Sequence, residues 1–224
     1  MKKTSLLPSE LEVILGGLLG DSCIRKNTYS IEFSHSNRQY EYLMWKHDLL
    51  NRISTNTWET IVQDKYIRFS FSTKQQYKND MKSIYLLICD KTGNKKITRK
   101  WLNLLTPLSL AIWWMDDGCL SVHKRNRYGK LCTHCFSYEE HLIIQQYFKV
   151  IWDIKIDIKL EKRKYYFCRL NVENLKKLFS IIYKYILEVP LMIYKIDLNY
   201  KNEKYIGDFK NIYDEIKLKK TIYP

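Results

Sequence analysis

The chain has 224 residues, of which 46% are hydrophobic, and it carries 38 Lys and Arg against 24 Asp and Glu, a formal net charge of +14. The hydrophobic content excludes an intrinsically disordered chain, and the length suffices for one large domain or two small ones. The basic surplus favours a polyanionic partner, which is either a nucleic acid or an anionic membrane surface.

Other features of the sequence bear on location and on metal chemistry. No apolar segment reaches the length of a membrane span, and the N-terminal residues lead into no signal-like segment, so we expect a protein outside the membrane that works where it is made. The six cysteines are scattered, as in a reduced intracellular protein. Cys132 and Cys135 form a CxxC pair near His123 and His134, but no second pair exists, and this spacing does not favour a zinc site. The abundance of Lys, Ile, Asn and Tyr is typical of AT-rich coding and fits a mitochondrion, a chloroplast or a bacterial cytoplasm.

The first half of the chain is predicted to alternate helices with pairs of strands. Ser9 and Glu12 form a capping-box pattern, which predicts a helix from near Ser9 to about Gly20. Residues 22–25 follow as the first strand, and after a turn at 26–28 alternating apolar and polar residues predict a half-buried strand over 29–36. The remaining elements are a helix over 39–53, strands 58–62 and 66–72 around a turn at 63–65, a helix over 75–88, and a linker over 89–100.

The second half repeats this order of elements. Thr106 and Pro107 supply an N-cap and a proline at the first helical position, and Ser137 and Glu140 form a capping box for a helix that ends near Trp152. The remaining elements are a hairpin of strands 119–124 and 130–136 joined by a basic segment, strands 154–161 and 165–170 around a turn at 162–164, a helix over 172–187, and a short helix near 205–217.

The repeat predicts an α+β fold of two αββαββα units, over residues 1–100 and 101–224. Each unit contributes a four-stranded antiparallel sheet with one face under helices and one polar face.

Two apolar runs of helical length, each ending at an acidic residue, stand at corresponding places in the two units. Residues 14–22 read ILGGLLGDS, and residues 110–118 read LAIWWMDDG. Gly16 and Gly20 lie on one face of the first helix, which permits close approach of a second helix. Crossing of the two helices brings Asp21 and Asp117 together at helix C-termini, where carboxylates are disfavoured and a divalent cation offsets the charge.

The paired runs resemble the signature of single-chain LAGLIDADG homing endonucleases of the intron-encoded type. The resemblance extends to residues 105–111, which read LTPLSLA, and to residues 189–195, which read VPLMIYK. It therefore covers nearly the whole chain. The sequence departs from the pattern at Ile112 and Trp113, where the first motif has Gly16 and Gly17, so we expect the two helices to pack asymmetrically.

The resemblance implies a monomeric enzyme that cuts both strands of a long asymmetric double-stranded DNA target and leaves 3′ overhangs. It implies Mg²⁺ as the cofactor, with Mn²⁺ able to substitute and Ca²⁺ able to bind without supporting cleavage. The metal residues implied are Asp21, Asp117 and Gly20, with Asp116 as a second candidate beside Asp117.

The resemblance also implies a lysine near each metal, which stabilises charge on the phosphate or orients the attacking water. In the second unit this is Lys195, and in the first it is Lys95 or Lys96, because the spacing leaves both open. A polar residue that orients water is expected on the strand side of each site, and the candidates are Asn37, Glu32 and Glu161.

The polar face of each sheet is expected to lie along a DNA groove and to place alternate side chains on base edges and phosphates. The candidate DNA-binding residues are Arg25, Arg38, Arg68, Lys124, Arg125, Arg127, Lys155, Lys159, Arg163 and Arg169.

Two other functions fit the same fold. An RNA maturase that helps its host intron to fold needs the basic surface but no cleavage chemistry. A catalytically silent DNA-binding regulator is expected where motif acids are lost, and here both Asp21 and Asp117 are present. The intact acids favour the nuclease.

Overall fold

The computed structural model describes residues 4–62, 66–123 and 126–198. Its helices are α1 (Pro8–Leu19), α2 (Tyr40–Leu49), α3 (Lys78–Ile88), α4 (Arg99–Leu102), α5 (Pro107–Asp117), α6 (Tyr138–Trp152) and α7 (Val172–Ile186). Its strands are β1 (Cys23–Ile24), β2 (Ile31–Ser36), β3 (Trp58–Val62), β4 (Tyr66–Ser72), β5 (Gly118–His123), β6 (Asn126–Leu131), β7 (Asp157–Glu161) and β8 (Tyr165–Asn171). Short 3₁₀ helices occupy Asn37–Gln39, Gln75–Tyr77 and Pro190–Lys195.

The strands form two antiparallel four-stranded sheets of the same topology. The first has the order β1-β2-β4-β3 and the second the order β5-β6-β8-β7. The predicted α+β fold with two such sheets is confirmed. The boundary between the units at residues 100 and 101 stays a prediction.

Strand alternation buries one face of each sheet and leaves the other polar. In β2, Ile31 and Phe33 are fully buried, and Phe33 stacks on Phe71 of β4 with ring centroids 4.8 Å apart. Ser34 and Ser70 point to the opposite face, where Ser70 donates a hydrogen bond to Ser34 over 3.0 Å. The predicted polar face of the first sheet is therefore present.

Helices α1 and α5 pack against each other closely enough to require glycine on α1. A Cβ added at Gly16 would lie 2.6 Å from the carbonyl oxygen of Ser109, and one added at Gly20 would lie 2.4 Å from the Cβ of Asp116. Gly17 faces its own sheet instead, where an added Cβ would lie 2.9 Å from the ring of Phe33. The expected asymmetry is present, because glycine on α1 lies opposite larger residues on α5.

The predicted capping box at Ser9 and Glu12 is wrong, since α1 begins one residue earlier, at Pro8. The carboxylate of Glu10 accepts a hydrogen bond from the backbone N–H of Leu7 over 2.8 Å. Glu10 is only 2% exposed and also accepts a hydrogen bond from Arg52 over 2.8 Å. The proline at the first helical position and this long-range ion pair together fix the start of the helix.

Several other predicted boundaries differ from the structure. Strand β6 begins at Asn126, so most of the predicted basic connection is strand, and α4 begins within the last two residues of the predicted linker. Strand β7 begins at Asp157, because Ile154 and Ile156 are fully buried in the connection from α6. The predicted turn at 63–65 and the helix near 205–217 lie outside the described residues. Within the described residues, no helix is long and apolar enough to cross a membrane.

Gly16→Ala tests the helix contact. The added methyl group meets the backbone of Ser109, which cannot move without separating the helices, so we expect the free energy of unfolding to fall by about 2 kcal/mol. Urea denaturation measures it. The matched control is Ser9→Ala on the exposed side of α1, and equal stability of the two variants would show that the helices are not in close contact.

Candidate active site

Asp21 and Asp117 lie where α1 and α5 end. Asp117 is the last residue of α5, whereas Asp21 follows the end of α1 and has a side chain that is 45% exposed. Burial, followed by the carboxylates of Asp21 and Asp116, raises the pKa of Asp117 to about 8. Burial and then Asp116 also raise the pKa of Asp21. The fold thus brings the carboxylates of Asp21, Asp116 and Asp117 close together, and nearby positive charges do not fully offset the negative charge of Asp21 and Asp117.

Each motif helix ends next to a buried or half-buried lysine. Lys95 Nζ donates hydrogen bonds to the carbonyl oxygens of Leu18 at 2.8 Å, Ser22 at 3.0 Å and Gly20 at 3.3 Å. Lys195, in the second unit, donates hydrogen bonds from Nζ to the carbonyl oxygens of Gly118 at 2.7 Å and Asp116 at 3.4 Å.

The two lysines therefore have equivalent positions in the two units. Each binds the carbonyl group that precedes its motif acid. A lysine in this position also satisfies the last carbonyls of a helix, so part of its role is structural. Burial lowers the pKa of Lys195, although Asp116 and other nearby acidic groups oppose this shift. Lys96 is exposed, and only Lys95 of the two predicted alternatives reaches the motif.

The backbone of Lys195 is fixed by a tryptophan of the second motif. Trp114 Nε1 donates a hydrogen bond to the carbonyl oxygen of Lys195 over 2.9 Å, and the Trp114 ring packs edge-on against Phe179 of α7. A sequence pattern shows Trp114 only as an apolar residue of a helix, so this positioning role is visible only in the tertiary structure.

Asp116 lies in a buried polar network that sequence reasoning missed. Its side chain is fully buried, and its Oδ1 accepts hydrogen bonds from Lys46 Nζ at 2.7 Å and from Tyr42 Oη at 2.8 Å. Lys46 is itself 0% exposed and lies 3.0 Å from His35 Nε2. Burial acts to raise the pKa of Asp116, but the charge of Lys46 and the hydrogen bonds from Lys46 and Tyr42 oppose it, and the pKa lies below the ordinary value.

His35 is neutral in this network. Burial, followed by the charge of Lys46, lowers its pKa to about 3. Because an ammonium group only donates hydrogen bonds, Nε2 of His35 must be the acceptor, and its proton is on Nδ1. Nδ1 faces Asp21, whose Oδ2 lies 3.8 Å away.

The residues present fit a hard divalent cation at Asp21 and Asp117. Carboxylate and carbonyl oxygens are the ligands that Mg²⁺ prefers, and a cation would relieve the repulsion that raises both pKa values. Among the described residues, the one group of acids, His and Cys compact enough for a metal ion is Asp21, His35 and Asp116. Two residues of this group, His35 through Nε2 and Asp116 through Oδ1, already contact Lys46, so we interpret the group as an ion-pair network.

The predicted DNA-binding residues are distributed over the polar faces, the turns and their flanks. Arg68 lies in β4, and Lys159 and Arg169 lie in β7 and β8, with the Arg169 guanidinium 4.6 Å from the centre of the Tyr128 ring. Arg25 and Arg38 follow the strands of the first sheet, Lys155 precedes β7, Arg163 lies in the β7–β8 turn, and Arg127 lies in β6. Lys124 and Arg125 lie outside the described residues.

Lys130 on the polar face of the second sheet was missed. It pairs with Cys119 and Arg169 in the ladder, lies 4.5 Å from the centre of the Phe167 ring, and binds Glu161 at 2.5 Å. Arg127 lies three residues before Lys130 in β6, so strand alternation places it on the opposite face of the sheet. The predicted strand begins only at Lys130, whereas β6 begins at Asn126, so the sequence pattern did not give the ladder partners of Lys130.

The candidate water-orienting residues differ in what they contact. Glu32 forms an ion pair with Arg25, and Glu161 binds Lys130 and lies 3.0 Å from His134 Nε2. Asn37 is exposed at the first residue of the 3₁₀ helix that follows β2. Asn37 carries no charge, and its side chain has no hydrogen-bond partner among the described residues.

One cysteine of the CxxC pair, Cys132, contacts the backbone of the second motif. The backbone N–H of Cys132 donates a hydrogen bond to the carbonyl oxygen of Asp117 over 2.9 Å. Cys132 thus lies directly after β6 and is bound to the backbone of the motif acid.

Known proteins resemble this chain both in sequence and in fold. A family model described as the LAGLIDADG DNA endonuclease family matches residues 11–178. A solved structure described as the homing endonuclease I-WcaI bound to its DNA recognition sequence superposes with a TM-score of 0.75 at 22% identity, covering 89% of this chain and 90% of that one. At that identity the likeness shows the fold.

Two sequence relatives come from different kinds of protein. Protein RecA of Mycolicibacterium flavescens is 33% identical over 126 residues, which is 54% of this chain and 28% of that protein. The cytochrome b mRNA maturase bI2 of Saccharomyces cerevisiae is 29% identical over 207 residues, which is 83% of this chain and 47% of that protein. This chain therefore spans less than half the length of either relative.

The raised pKa of Asp117 predicts a pH dependence of stability in the absence of metal. A carboxyl group whose pKa is higher in the folded state than in the unfolded chain contributes stability below pH 4 and loses it as the pH rises towards 8. We expect Asp117→Asn to be more stable than the wild type at pH 8 in EDTA, by about 2 kcal/mol after allowance for screening, and close to it at pH 4.

Urea denaturation at the two pH values measures this difference. Asp48→Asn is the control, because that side chain is 77% exposed on α2. A wild type whose stability matches that of Asp117→Asn at both pH values would contradict the electrostatic description of the site.

Proposed function

The chain belongs to the LAGLIDADG DNA endonuclease family, and we propose that it is a site-specific, divalent-metal-dependent endonuclease. It hydrolyses both strands of a long asymmetric DNA target and leaves 3′ overhangs. The observation that carries this proposal is the pair of motif acids at the ends of two closely packed helices, each with a lysine on the carbonyl group before it.

Asp21 and Asp117 hold the metal in this proposal, with the carbonyl groups of Gly20 and Asp116 beside them. A bound Mg²⁺ lowers the pKa of a water molecule, neutralises the scissile phosphate and stabilises the leaving 3′-oxygen. Mn²⁺ is expected to substitute, and Ca²⁺ to bind without cleavage. The carboxylates orient the cation and need not attack phosphorus themselves.

Lys95 and Lys195 place a positive charge beside each scissile phosphate. Their hydrogen bonds to backbone carbonyl groups fix the ammonium positions before substrate arrives, so little reorganisation is needed in the transition state. Asn37, Glu32 and Glu161 remain the candidates for orienting water.

Double-stranded DNA is the proposed substrate, bound along the polar faces of the two sheets. A net charge of +14 and the lysines and arginines on these faces supply the electrostatic part of binding. The exposed apolar and aromatic side chains of the second sheet, such as Tyr165 at 39% exposure, offer contacts to bases and sugars. We propose that one chain acts alone as a monomer, since it holds both motifs.

The likeness to a yeast cytochrome b mRNA maturase supports a second candidate, an RNA maturase that binds its host intron. It also supports an organelle as the compartment. The two activities are separable in one chain: Asp21→Asn abolishes DNA cleavage, whereas promotion of intron splicing in a purified system is unchanged if it depends on the surface alone.

Cleavage of DNA tests the leading proposal. A randomised double-stranded library is incubated with the protein in Mg²⁺, cut molecules are sequenced, and the selected site is used for kinetics. We expect Asp21→Asn and Asp117→Asn each to lower the cleavage rate at least about a hundredfold, because each removes a metal-binding charge. Asp48→Asn cleaves like the wild type.

Library molecules that are never cut by the wild type in Mg²⁺ or Mn²⁺ would contradict the endonuclease assignment. Mutants of Asp21 and Asp117 that cleave like the wild type would leave the activity but remove these residues from the site.

The salt dependence of DNA binding tests the sheet surface. Lys159→Ala removes an exposed charge from β7, so we expect weaker target binding and a log–log salt slope shallower by about 1. Fluorescence anisotropy of labelled target DNA at salt concentrations from about 50 to about 300 mM measures the slope. The control is Lys184→Ala on α7, whose ammonium lies 4.8 Å from the centre of the Tyr185 ring, and identical slopes for both variants would exclude β7 from the interface.

A further inference from the structure

The two motif acids differ in how their backbones are held. Asp117 is still within α5, so its amide takes part in the helical hydrogen bonding. Helix α1 ends at Leu19, where the amides of Gly20 and Ser22 donate to the carbonyl oxygen of Gly17 at 3.0 and 2.9 Å. The amide of Asp21 lies between them and donates instead to Oδ2 of Asp116, 3.2 Å away in the other unit.

Asp116 occupies the position in the second motif that Gly20 has in the first. Its carboxylate enters the interface beside Gly20, where an added Cβ on Gly20 would lie 2.5 Å from its Oδ2. Oδ1 is bound by Lys46 and Tyr42, so the carboxylate cannot rotate without breaking two hydrogen bonds to fully buried groups. The oxygen that meets Asp21 is thereby fixed.

We propose that Asp116 is a positioning residue: its carboxylate, held by Lys46 and Tyr42, fixes the backbone of Asp21 and so the direction in which the Asp21 side chain enters the site. This inference rests on the proposed function. It assigns Asp116 a role other than the side-chain metal ligand that the sequence offered, and it makes Lys46 necessary for a site that it does not touch.

The charge of Lys46 serves to keep Asp116 buried. A lone carboxylate in the helix interface is strongly disfavoured, so removing only the lysine is expected to destabilise the whole fold. Lys46→Met therefore cannot by itself separate a positioning role from a structural one. Two double variants restore a neutral interface and differ in the hydrogen-bond acceptor offered to Asp21 and to Tyr42; the hydroxyl of Tyr42 also lies 3.3 Å from the carbonyl oxygen of Ile112, and only the amide of Asp21 reports on the motif.

The first double variant is Lys46→Met with Asp116→Asn, which keeps a carbonyl oxygen able to accept from the amide of Asp21. The second is Lys46→Met with Asp116→Leu, which has the same branched shape and no acceptor. Lys46→Met alone is expected to melt about 10 °C below the wild type, and both double variants are expected to recover most of that loss.

Hydrogen exchange of the Asp21 amide in metal-free protein reads the proposed contact directly. We expect exchange about three- to tenfold faster in the leucine double variant than in the asparagine one, from the loss of one hydrogen bond. Cleavage of the selected DNA site at saturating Mg²⁺ should be about a hundredfold slower in the leucine variant, because a small misplacement of a catalytic group has that effect.

Equal exchange of the Asp21 amide in the two double variants, or equal cleavage by them at any level, overturns the proposal. A wild-type protein that cleaves no DNA refutes the endonuclease function instead. In that case the exchange measurement still decides whether Asp116 holds the backbone of Asp21.

Discussion

The close contact between α1 and α5 is the constraint on which the rest of the structure depends. Gly16 lies against the backbone of Ser109 and Gly20 lies against Asp116, so the two helices approach at distances that a methyl group would prevent. Each helix belongs to a different unit, and their contact therefore sets the relation between the two sheets. It also brings the ends of both motifs, and with them Asp21 and Asp117, to one place.

Charge at this place is balanced only in part. Lys46 neutralises Asp116 inside the interface, and Lys95 and Lys195 bind the carbonyl groups at the helix ends. Asp21 and Asp117 keep raised pKa values, with burial and nearby carboxylates as the cause. This is the arrangement expected of a site completed by a cation and a phosphate, and it connects the packing of two helices to the proposed hydrolysis.

The two units share a topology but differ in chemistry. The polar face of the first sheet carries Arg68 among small hydroxyl side chains such as Ser34 and Ser70, whereas that of the second carries Lys130, Phe167 and Arg169. The buried network of Lys46, Tyr42 and His35 lies in the first unit, and its acidic partner comes from the second. A single chain with two units can diverge in this way, which suits the asymmetric DNA target that we propose.

The sequence by itself determined the order of the strands and of the long helices, the pairing of the two motifs and the polar face of the first sheet. These follow from local signals: the cap at Thr106 and Pro107, the capping box at Ser137 and Glu140, and strand alternation, all of which act over a few residues. Where a long-range contact competed with a local signal, the prediction was wrong, as at Ser9, where the pair of Glu10 and Arg52 helps to fix the start of α1.

Only the tertiary structure decided which side chains meet at the site. Periodicity could not choose between Lys95 and Lys96. The choice depends on which ammonium group reaches the carbonyl groups at the end of α1, more than seventy positions earlier in the chain. Nor could periodicity place Asp116 beside Lys46, since a buried ion pair depends on the desolvation and geometry of residues from different units. Local propensity determines elements, whereas the partners of a buried charge are determined by the packing of those elements.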